Sequence, residues 1–492
     1  MKAFLNFIDG KWVGSESGAT FENRNPADWR EVIGQFPSST TGDLERAVNS
    51  ARKGFEEWRK IPLPKRGEIL KRVGDILSSK KEELAQMMTR EMGKVLEETM
   101  GDVQEGIDTA YYAAGEGRRL FGKTVPSELP NKFAATIRRP IGVVAAITPW
   151  NFPLAIPTWK IFPALLCGNA VVFKPASDTP ATANRFVEIL LEAGVPPRTI
   201  QLINGSGSVI GKGIVEHPGI DAISFTGSTA VGKEISGRAG FLLKRVSLEM
   251  GGKNAQLVMD DADLDLALDG VLWGAFGTTG QRCTATSRLI LHKNIHDTFV
   301  EKLLARVQTL TLGSGLLPST KVGPLINESA RKKVLEYIGI GKSEGGKLIC
   351  GGEVPKDPRL SHGWFLLPTI FTDVKPTMRI AKEEIFGPVL SILSCSSLED
   401  GIKIMNDTEY GLSSSLYTKN VNSALHAINE IDAGITYING PTIGAEAHLP
   451  FGGVKSTGNG HREGGWQVYE FFSEVKTVYI DYSGRLQRAQ ID

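Results

Sequence analysis

Phe276-Gly277-Thr278-Thr279-Gly280-Gln281-Arg282-Cys283-Thr284-Ala285 is the stretch on which the reading of this chain turns. Its glycines and small residues let backbone and ligand approach closely, and it runs into an apolar, strand-like segment, Ser287-Arg288-Leu289-Ile290-Leu291. Cys283 therefore stands at the mouth of a strand. By residue type alone a cysteine is a small buried hydrophobe. A thiol so placed can also meet a substrate, and its company decides between the two.

Upstream, from Gly142, short β-branched runs alternate with helical stretches: Val143-Val144-Ala145-Ala146-Ile147, Ala170-Val171-Val172-Phe173, Ile200-Gln201-Leu202-Ile203 and Ala222-Ile223-Ser224-Phe225. Such alternation predicts βαβ units and a parallel sheet covered on both faces, with ligands at the carboxyl ends of its strands. The four runs lead in turn into Thr148-Pro149-Trp150-Asn151-Phe152-Pro153, Lys174-Pro175-Ala176-Ser177, Asn204-Gly205-Ser206-Gly207 and Thr226-Gly227-Ser228-Thr229. These are polar loops opening helices, whose free N–H groups suit phosphate, so a nucleotide cofactor is implied. The dinucleotide pattern G-x-G-x-x-G is not met, because Gly205, Gly207 and Gly211 give G-x-G-x-x-x-G.

Between that alternation and Cys283, Ala255-Gln256-Leu257-Val258 reads as a strand leading into Asp260, Asp261 and Asp263, which are expected to cap the helix of Leu264, Ala267 and Leu268 rather than to bind metal. Beyond Cys283 a second alternating set has apolar runs at 289–291, 389–393 and 434–438, implying a second α/β domain across a cleft from the first. The segment from Gly351 to Gly363 reads as surface loop.

Towards the amino end, Phe7-Ile8-Asp9-Gly10-Lys11-Trp12-Val13 is a hairpin signature. Three helices are predicted after it. One holds Leu44, Ala47, Val48, Ala51, Phe55 and Trp58 behind Thr41 and Asp43 as capping residues, the next Ile69, Leu70, Val73, Ile76 and Leu77, the third Leu84, Met87 and Met88. At the other end Ser473-Glu474-Val475-Lys476-Thr477-Val478-Tyr479-Ile480 alternates as a strand that could pair with another subunit.

At 492 residues the chain exceeds what one core supports, so two or three subdomains are expected. With 56 Lys+Arg against 55 Asp+Glu and no basic run, nucleic acid is not an expected partner. Met1 to Gly10 has too short an apolar run for a signal peptide and nothing later approaches the ~20 apolar residues of a membrane span, so a cytoplasmic protein is expected. Cys167, Cys283, Cys350 and Cys395 form no C-x-x-C pair, which argues against disulfides and zinc. His292 and His296 stand four apart without a third ligand nearby and read as solvated surface residues, leaving no metal site expected.

Taken together, Pro149-Trp150-Asn151-Phe152-Pro153, Lys174-Pro175-Ala176-Ser177, Phe225-Thr226-Gly227-Ser228, Leu248-Glu249-Met250-Gly251-Gly252-Lys253, Gly280-Gln281-Arg282-Cys283 and Glu384-Ile385-Phe386-Gly387-Pro388 resemble the NAD(P)-dependent aldehyde dehydrogenases, in family order over nearly the whole chain. The resemblance implies that family's α/β fold. Residues 1–122 and 142–256 would form a variant Rossmann cofactor domain lacking the usual glycine pattern, 257–455 the α/β catalytic domain, and 123–141 with 472–492 a small β oligomerisation element. It further implies a homodimer or homotetramer.

The chemistry of aldehyde oxidation gives these residues their roles. A thiolate adding to the carbonyl makes a tetrahedral centre able to expel hydride. Cys283 matches the nucleophile, Asn151 the oxyanion donor beside the Cys283 N–H, and Glu249 the base that activates water against the thioester. Lys160 and Glu463 match positions that relay the proton away in some relatives, or else form an ordinary salt bridge. Ile147, Thr148, Pro149, Trp150, Lys174, Ser177, Gly207, Gly211, Phe225, Thr226, Gly227, Ser228, Gly251, Glu384 and Phe386 match cofactor-binding positions. Ser177 stands where many strict NAD users carry a glutamate on the ribose hydroxyls, so NADP should be accepted alongside or instead of NAD.

Thr284 and Arg282 match substrate-binding positions. The Arg282 guanidinium either packs against its own loop or faces the aldehyde and pairs with a carboxylate at its far end. Gly280 to Arg288 resembles the branch of the family acting on 2-oxoglutarate semialdehyde (2,5-dioxopentanoate), with succinate semialdehyde or a broad aldehyde range as alternatives.

Overall fold

The computed structural model describes residues 2–120 and 122–491; Met1 and Phe121 of the expected cofactor domain and Asp492 of the expected terminal element lie outside the described residues. Asp9 and Gly10 turn the chain through left-handed backbone, φ +51° and +76°, and set Phe7 opposite Trp12 and Ile8 opposite Lys11. That geometry is what an Asp-Gly hairpin requires.

The hairpin sits at one edge of a seven-stranded sheet. From the far edge the order is Arg245–Glu249, Ala222–Thr226, Val143–Ile147, Ala170–Lys174, Ile200–Leu202, Asn6–Ile8 and Lys11–Val13. The first five strands are parallel and the hairpin strand joins them antiparallel. Val143–Ile147 and Ala170–Lys174 are buried at every position. Each Val or Ile there contributes about 1.5–3 kcal/mol of burial, which is why both faces of these strands are apolar. The chain winds outward from Val143–Ile147 in one direction, then returns to add Ala222–Thr226 on its other side. The crevice at a parallel sheet's carboxyl edge opens where the strand order reverses. Here that is between Ile147 and Thr226.

A second seven-stranded sheet runs Lys347–Cys350, Thr369–Thr372, Val389–Cys395, Arg288–His292, Ala255–Val258, Ser413–Tyr417 and Ile435–Ile438, all parallel except the first. The expected division at residue 256 falls inside Ala255–Val258, whose pairing with Arg288–His292 and Ser413–Tyr417 puts all four residues in this sheet. Only Met250 to Asn254 separate the two sheets here.

The three expected helices are Thr41–Trp58, Leu63–Ser79 and Lys81–Met92. The cap of the first is Thr40 rather than Thr41: its hydroxyl accepts from the Asp43 N–H while the Asp43 carboxylate accepts from the Thr40 N–H. A fourth helix, Leu96–Glu116, is the longest of the chain's described helices and has no counterpart among the expected ones. It crosses Leu63–Ser79 so closely that a Cβ on Gly67 would stand 2.9 Å from the Ala114 carbonyl oxygen. Asp263 caps Leu264–Phe276 through the Asp265 and Leu266 N–H groups. His292, expected at the surface, is buried, with its ring nitrogens on the Ser396 carbonyl and the Asp260 carboxylate, because it closes an interior strand. No described helix is long and apolar enough to cross a membrane.

The terminal strand Ser473–Asp481 pairs with Lys132–Pro140 of its own chain over nine residues, and Thr124–Pro126 completes this three-stranded sheet. Asn169 fastens it to the first sheet. Its buried amide accepts from the Ile141 and Gly142 N–H groups and donates to the Ala164 and Phe472 carbonyls. Asn169→Ala strands the Ile141, Gly142 and Phe472 groups, the Ala164 carbonyl keeping the Asn169 backbone N–H, and we expect denaturant unfolding to register a loss of about 2–4 kcal/mol. A loss under about 0.5 kcal/mol would remove Asn169 from this role.

Candidate active site

The Cys283 loop is built from strained backbone held on all sides. Thr278, Thr279 and Gly280 take left-handed φ of +50°, +57° and +68° in succession, and a Cβ at Gly280 would collide with the Gly387 carbonyl. Non-glycine residues resist that conformation at a cost of roughly 1–3 kcal/mol each. Hydrogen bonds offset it: Thr279 donates to the Gly323 carbonyl, Gln281 donates to the Pro324 carbonyl and accepts from the Ile326 N–H. Asn254 grips the loop from below, its amide donating to the Cys283 carbonyl at 2.7 Å and the Ala285 carbonyl at 2.9 Å.

Cys283 is half-buried, and its thiol is pushed up to about 12 by burial and by the carboxylates of Glu249 and Glu384, against the Thr284 and Cys283 N–H groups, which favour the thiolate. Glu249 ends the edge strand of the first sheet. Its carboxyl is buried with both oxygens unpartnered, and burial, then Glu463, raise its proton affinity well above the ordinary carboxylate range, with Lys160 and Arg462 opposing. Lys160 and Glu463 form a buried ion pair, and Ser224 accepts from Lys160 at 3.1 Å. The structure thus gathers Cys283, Glu249, Lys160 and Glu463 between the sheets. Asn151 joins them, its buried amide donating to the Gln281 carbonyl at 3.1 Å while its Oδ1 is unpartnered.

Cys283, Glu249 and Glu463 open on a cavity of about 1620 Å³, walled by Phe152, Trp159 and Phe451 among others. Thr284 and Arg282 line it too. Arg282 is tethered within it: Nε donates to the Thr278 hydroxyl at 2.8 Å and one terminal nitrogen to Glu98 at 3.0 Å, with the guanidinium plane over Phe152 and Trp273. The side chain therefore braces its loop while forming part of the cavity wall.

The expected cofactor residues before Gly251 fall along the carboxyl edge of the first sheet. Ile147 ends its strand, and Thr148 donates its N–H to the Lys174 carbonyl, with Pro149 and Trp150 following. Lys174 is buried, its amine on the Pro175 carbonyl and drawn down to about 8 by burial against the pull of Asp178. Exposed Ser177 donates to the Gly205 carbonyl at 3.4 Å. Phe225 and Thr226 end their strand, Gly227 donates its N–H to the Glu249 carbonyl, and Ser228 caps the helix Thr229–Phe241. A dinucleotide fits this edge: the Thr226 hydroxyl is buried without a partner, and a Cβ on Gly207 or Gly211 would meet nothing within 4 Å. Glu384 reaches in from the second domain, accepting from the Gly252 N–H at 3.0 Å and leaving no room for a Cβ on Gly251. Phe386, at φ +62°, sets its ring edge-on to Trp150, centroids 5.5 Å apart.

Two supporting residues escape a reading of the sequence. Asn254 directly succeeds the motif ending at Lys253, yet nothing there signals that it holds a loop 29 residues on. Glu98 meets Arg282 across 184 residues, and only recognising the helix Leu96–Glu116 from Leu96, Met100, Val103 and Ile107 would place it. Among the described residues no cluster of His, Cys, Asp and Glu could hold a metal ion.

A raised thiol reacts slowly until it ionises. In the ligand-free protein we expect the iodoacetamide rate at Cys283 to keep climbing beyond about pH 9.5, where an ordinary thiol of pKa about 8.5 has levelled. Levelling below about pH 8 would contradict the electrostatics described.

The profile of the aldehyde dehydrogenase family matches residues 12–478. Alpha-ketoglutaric semialdehyde dehydrogenase of Bacillus subtilis is 44% identical over 97% of this chain and 98% of its own length. The 2,5-dioxopentanoate dehydrogenase of Saccharolobus solfataricus is 41% identical over 97% and 99%. The crystal structure of betaine aldehyde dehydrogenase from Staphylococcus aureus in complex with NAD+ superposes with a TM-score of 0.96 at 35% identity, covering 98% of this chain and 96% of that one. On matches of this extent in both sequence and structure, the chain belongs to the aldehyde dehydrogenase family.

Proposed function

We propose that this enzyme oxidises an aldehyde bearing a carboxylate at its far end, 2-oxoglutarate semialdehyde, to 2-oxoglutarate. The observation that carries this substrate is Arg282, a guanidinium on the wall of the cavity that Cys283 opens on. The names of the two relatives above point the same way.

In the proposed sequence Glu249, whose burial gives it a high proton affinity, takes the Cys283 proton, and the thiolate adds to the aldehyde carbon. Charge collects on oxygen, where the Asn151 amide and the Cys283 N–H donate to it. Lys174, Ser228 and Glu384 would hold NADP+ or NAD+ along the first sheet's carboxyl edge, where the bound cofactor would supply the hydride acceptor. Loss of hydride from carbon leaves a thioester on Cys283. Glu249, having released its first proton through the Lys160–Glu463 pair beside it, takes a second from water as that water attacks the thioester, freeing the acid and the Cys283 thiolate. The same pair gives that second proton a route away.

The free edge of Ser473–Asp481, with Val475, Tyr479 and Ile480 exposed, suits pairing with a second copy, as a homodimer or homotetramer. Four free cysteines suit a reducing cytoplasm.

The test compares kcat/KM for 2-oxoglutarate semialdehyde, succinate semialdehyde and pentanal with each cofactor. We expect the acid semialdehydes to lead pentanal by at least roughly tenfold, the ~1.4 kcal/mol that a partly solvated charge pair supplies. Equal use of pentanal would sink the substrate assignment, and a clear lead for succinate semialdehyde would move it there. For the cofactor, Ser177→Glu should raise KM for NADP+ by roughly tenfold or more relative to NAD+, since a carboxylate would meet the 2′-phosphate. An unmoved ratio would show that Ser177 does not face the ribose.

A further inference from the structure

The helix Leu96–Glu116 turns an acidic face to the substrate cavity. Glu98, Asp102 and Glu105, four and then three residues apart, fall on one side of it, and all three line the cavity. Two of them are answered by cations. Glu98 accepts from Arg282 at 3.0 Å and from the Thr278 N–H at 2.7 Å. Asp102 pairs with buried Lys94 at 2.7 Å and accepts from the Ala155 N–H at 2.8 Å. Glu105 has no such answer: its Oε1 is buried and meets no hydrogen-bond partner.

An ionised carboxylate left that way is costly, and beside Asp102 and Asp108 on its own helix it would also repel an incoming anion. A protonated carboxyl escapes both penalties and becomes a donor in search of an acceptor. We propose that Glu105 is a specificity residue, keeping its proton in the resting enzyme and donating that O–H to the far carboxylate of the substrate, beside Arg282. This rests on the carboxylated substrate proposed above.

Burial, then Asp102, push the Glu105 carboxyl up to about 8, while Lys94 and Arg282 pull it down and Asp108 adds to the rise. From the second domain Tyr437 faces it, with a phenol pushed up to about 12 by burial, and so keeps its proton wherever Glu105 titrates. Glu446 and His448 line the same cavity from the loop beyond Tyr437. Burial lowers Lys94 although Asp102 opposes, so a loss of its charge at high pH has to be told apart from ionisation of Glu105. The sign is fixed: the donor is present below about pH 8 and becomes a repelling anion above it.

The test is the ratio of kcat/KM for 2-oxoglutarate semialdehyde over pentanal as a function of pH, in which the titrations of Cys283 and Glu249 common to both substrates cancel. Between about pH 7 and about pH 9.5 the wild-type ratio should fall by roughly tenfold or more. In Glu105→Gln the ratio should stay flat, because an amide donates without a proton to lose. A wild-type ratio that favours the acid yet does not fall, or a Glu105→Gln ratio that falls as the wild type does, overturns the role of Glu105 and leaves the substrate standing. No preference at pH 7 removes the substrate and Glu105 with it. Should Glu105→Gln not fold, the wild type alone decides: glutarate, competing against pentanal, should lose inhibitory strength by roughly tenfold over the same range, and unchanged inhibition overturns the proposal.

Discussion

A half-buried thiol whose charged neighbours are carboxylates does not ionise unaided, and the whole arrangement depends on that constraint. Reactive cysteines usually borrow a cation or a helix N-terminus to lower their pKa. Cys283 has Glu249 and Glu384 about it instead, and both hold the proton on. The thiol is thereby protected while no substrate is present, but it needs a base of matching proton affinity. Burial in the same gap raises the proton affinity of Glu249, which moves it toward a match with the thiol. That match requires the end of one sheet to face the start of a strand in the other, which the short passage from Glu249 to Ala255 enforces.

Placement is held mechanically as well as electrostatically. Three successive left-handed residues could not persist in a free loop, and the hydrogen bonds of Thr279 and Gln281, about 1 kcal/mol each, fix them against the segment 323–326. Asn254 is the last residue of the inter-sheet passage, against the first residue of the second sheet, and holds the Cys283 carbonyl. The position of Cys283 is therefore referred to the second sheet, while Asn151 and Glu249 are referred to the first. Any hinge between the sheets would change the distance between thiol and base.

The sequence is most legible where local chemistry and tertiary role coincide. The Asp9-Gly10 hairpin, the four apolar runs of the first sheet and the Asp263 cap can be read because turn, burial and capping each leave a local mark. Ser413–Tyr417 leaves none: its three serines are buried and satisfied by the Thr442, Ile435 and Gly440 carbonyls, so an interior strand reads as a polar loop. His292 misleads because its partners lie 104 and 32 residues away. The helix Leu96–Glu116 carries Leu96, Met100, Val103 and Ile107 at helical spacing, but nothing local says that Glu98, Asp102 and Glu105 between them face a cavity.

An acidic helix face would ordinarily be solvated surface. Here it lines a substrate cavity because two of its acids are spent on cations brought from elsewhere, Arg282 from the nucleophile's loop and Lys94 from the turn before the helix. The two pairs answer Glu98 and Asp102, so the charge of Glu105 weighs directly on the field that a substrate meets beside Arg282. Two like charges 4 Å apart cost ~1 kcal/mol in water and ~4 kcal/mol at the effective dielectric of a protein surface. One ionised carboxylate is then enough to cancel what Arg282 gains from an anionic substrate, whereas a protonated one adds a donor. In the role proposed for Glu105, selectivity comes less from a surplus of positive charge than from keeping one acid neutral.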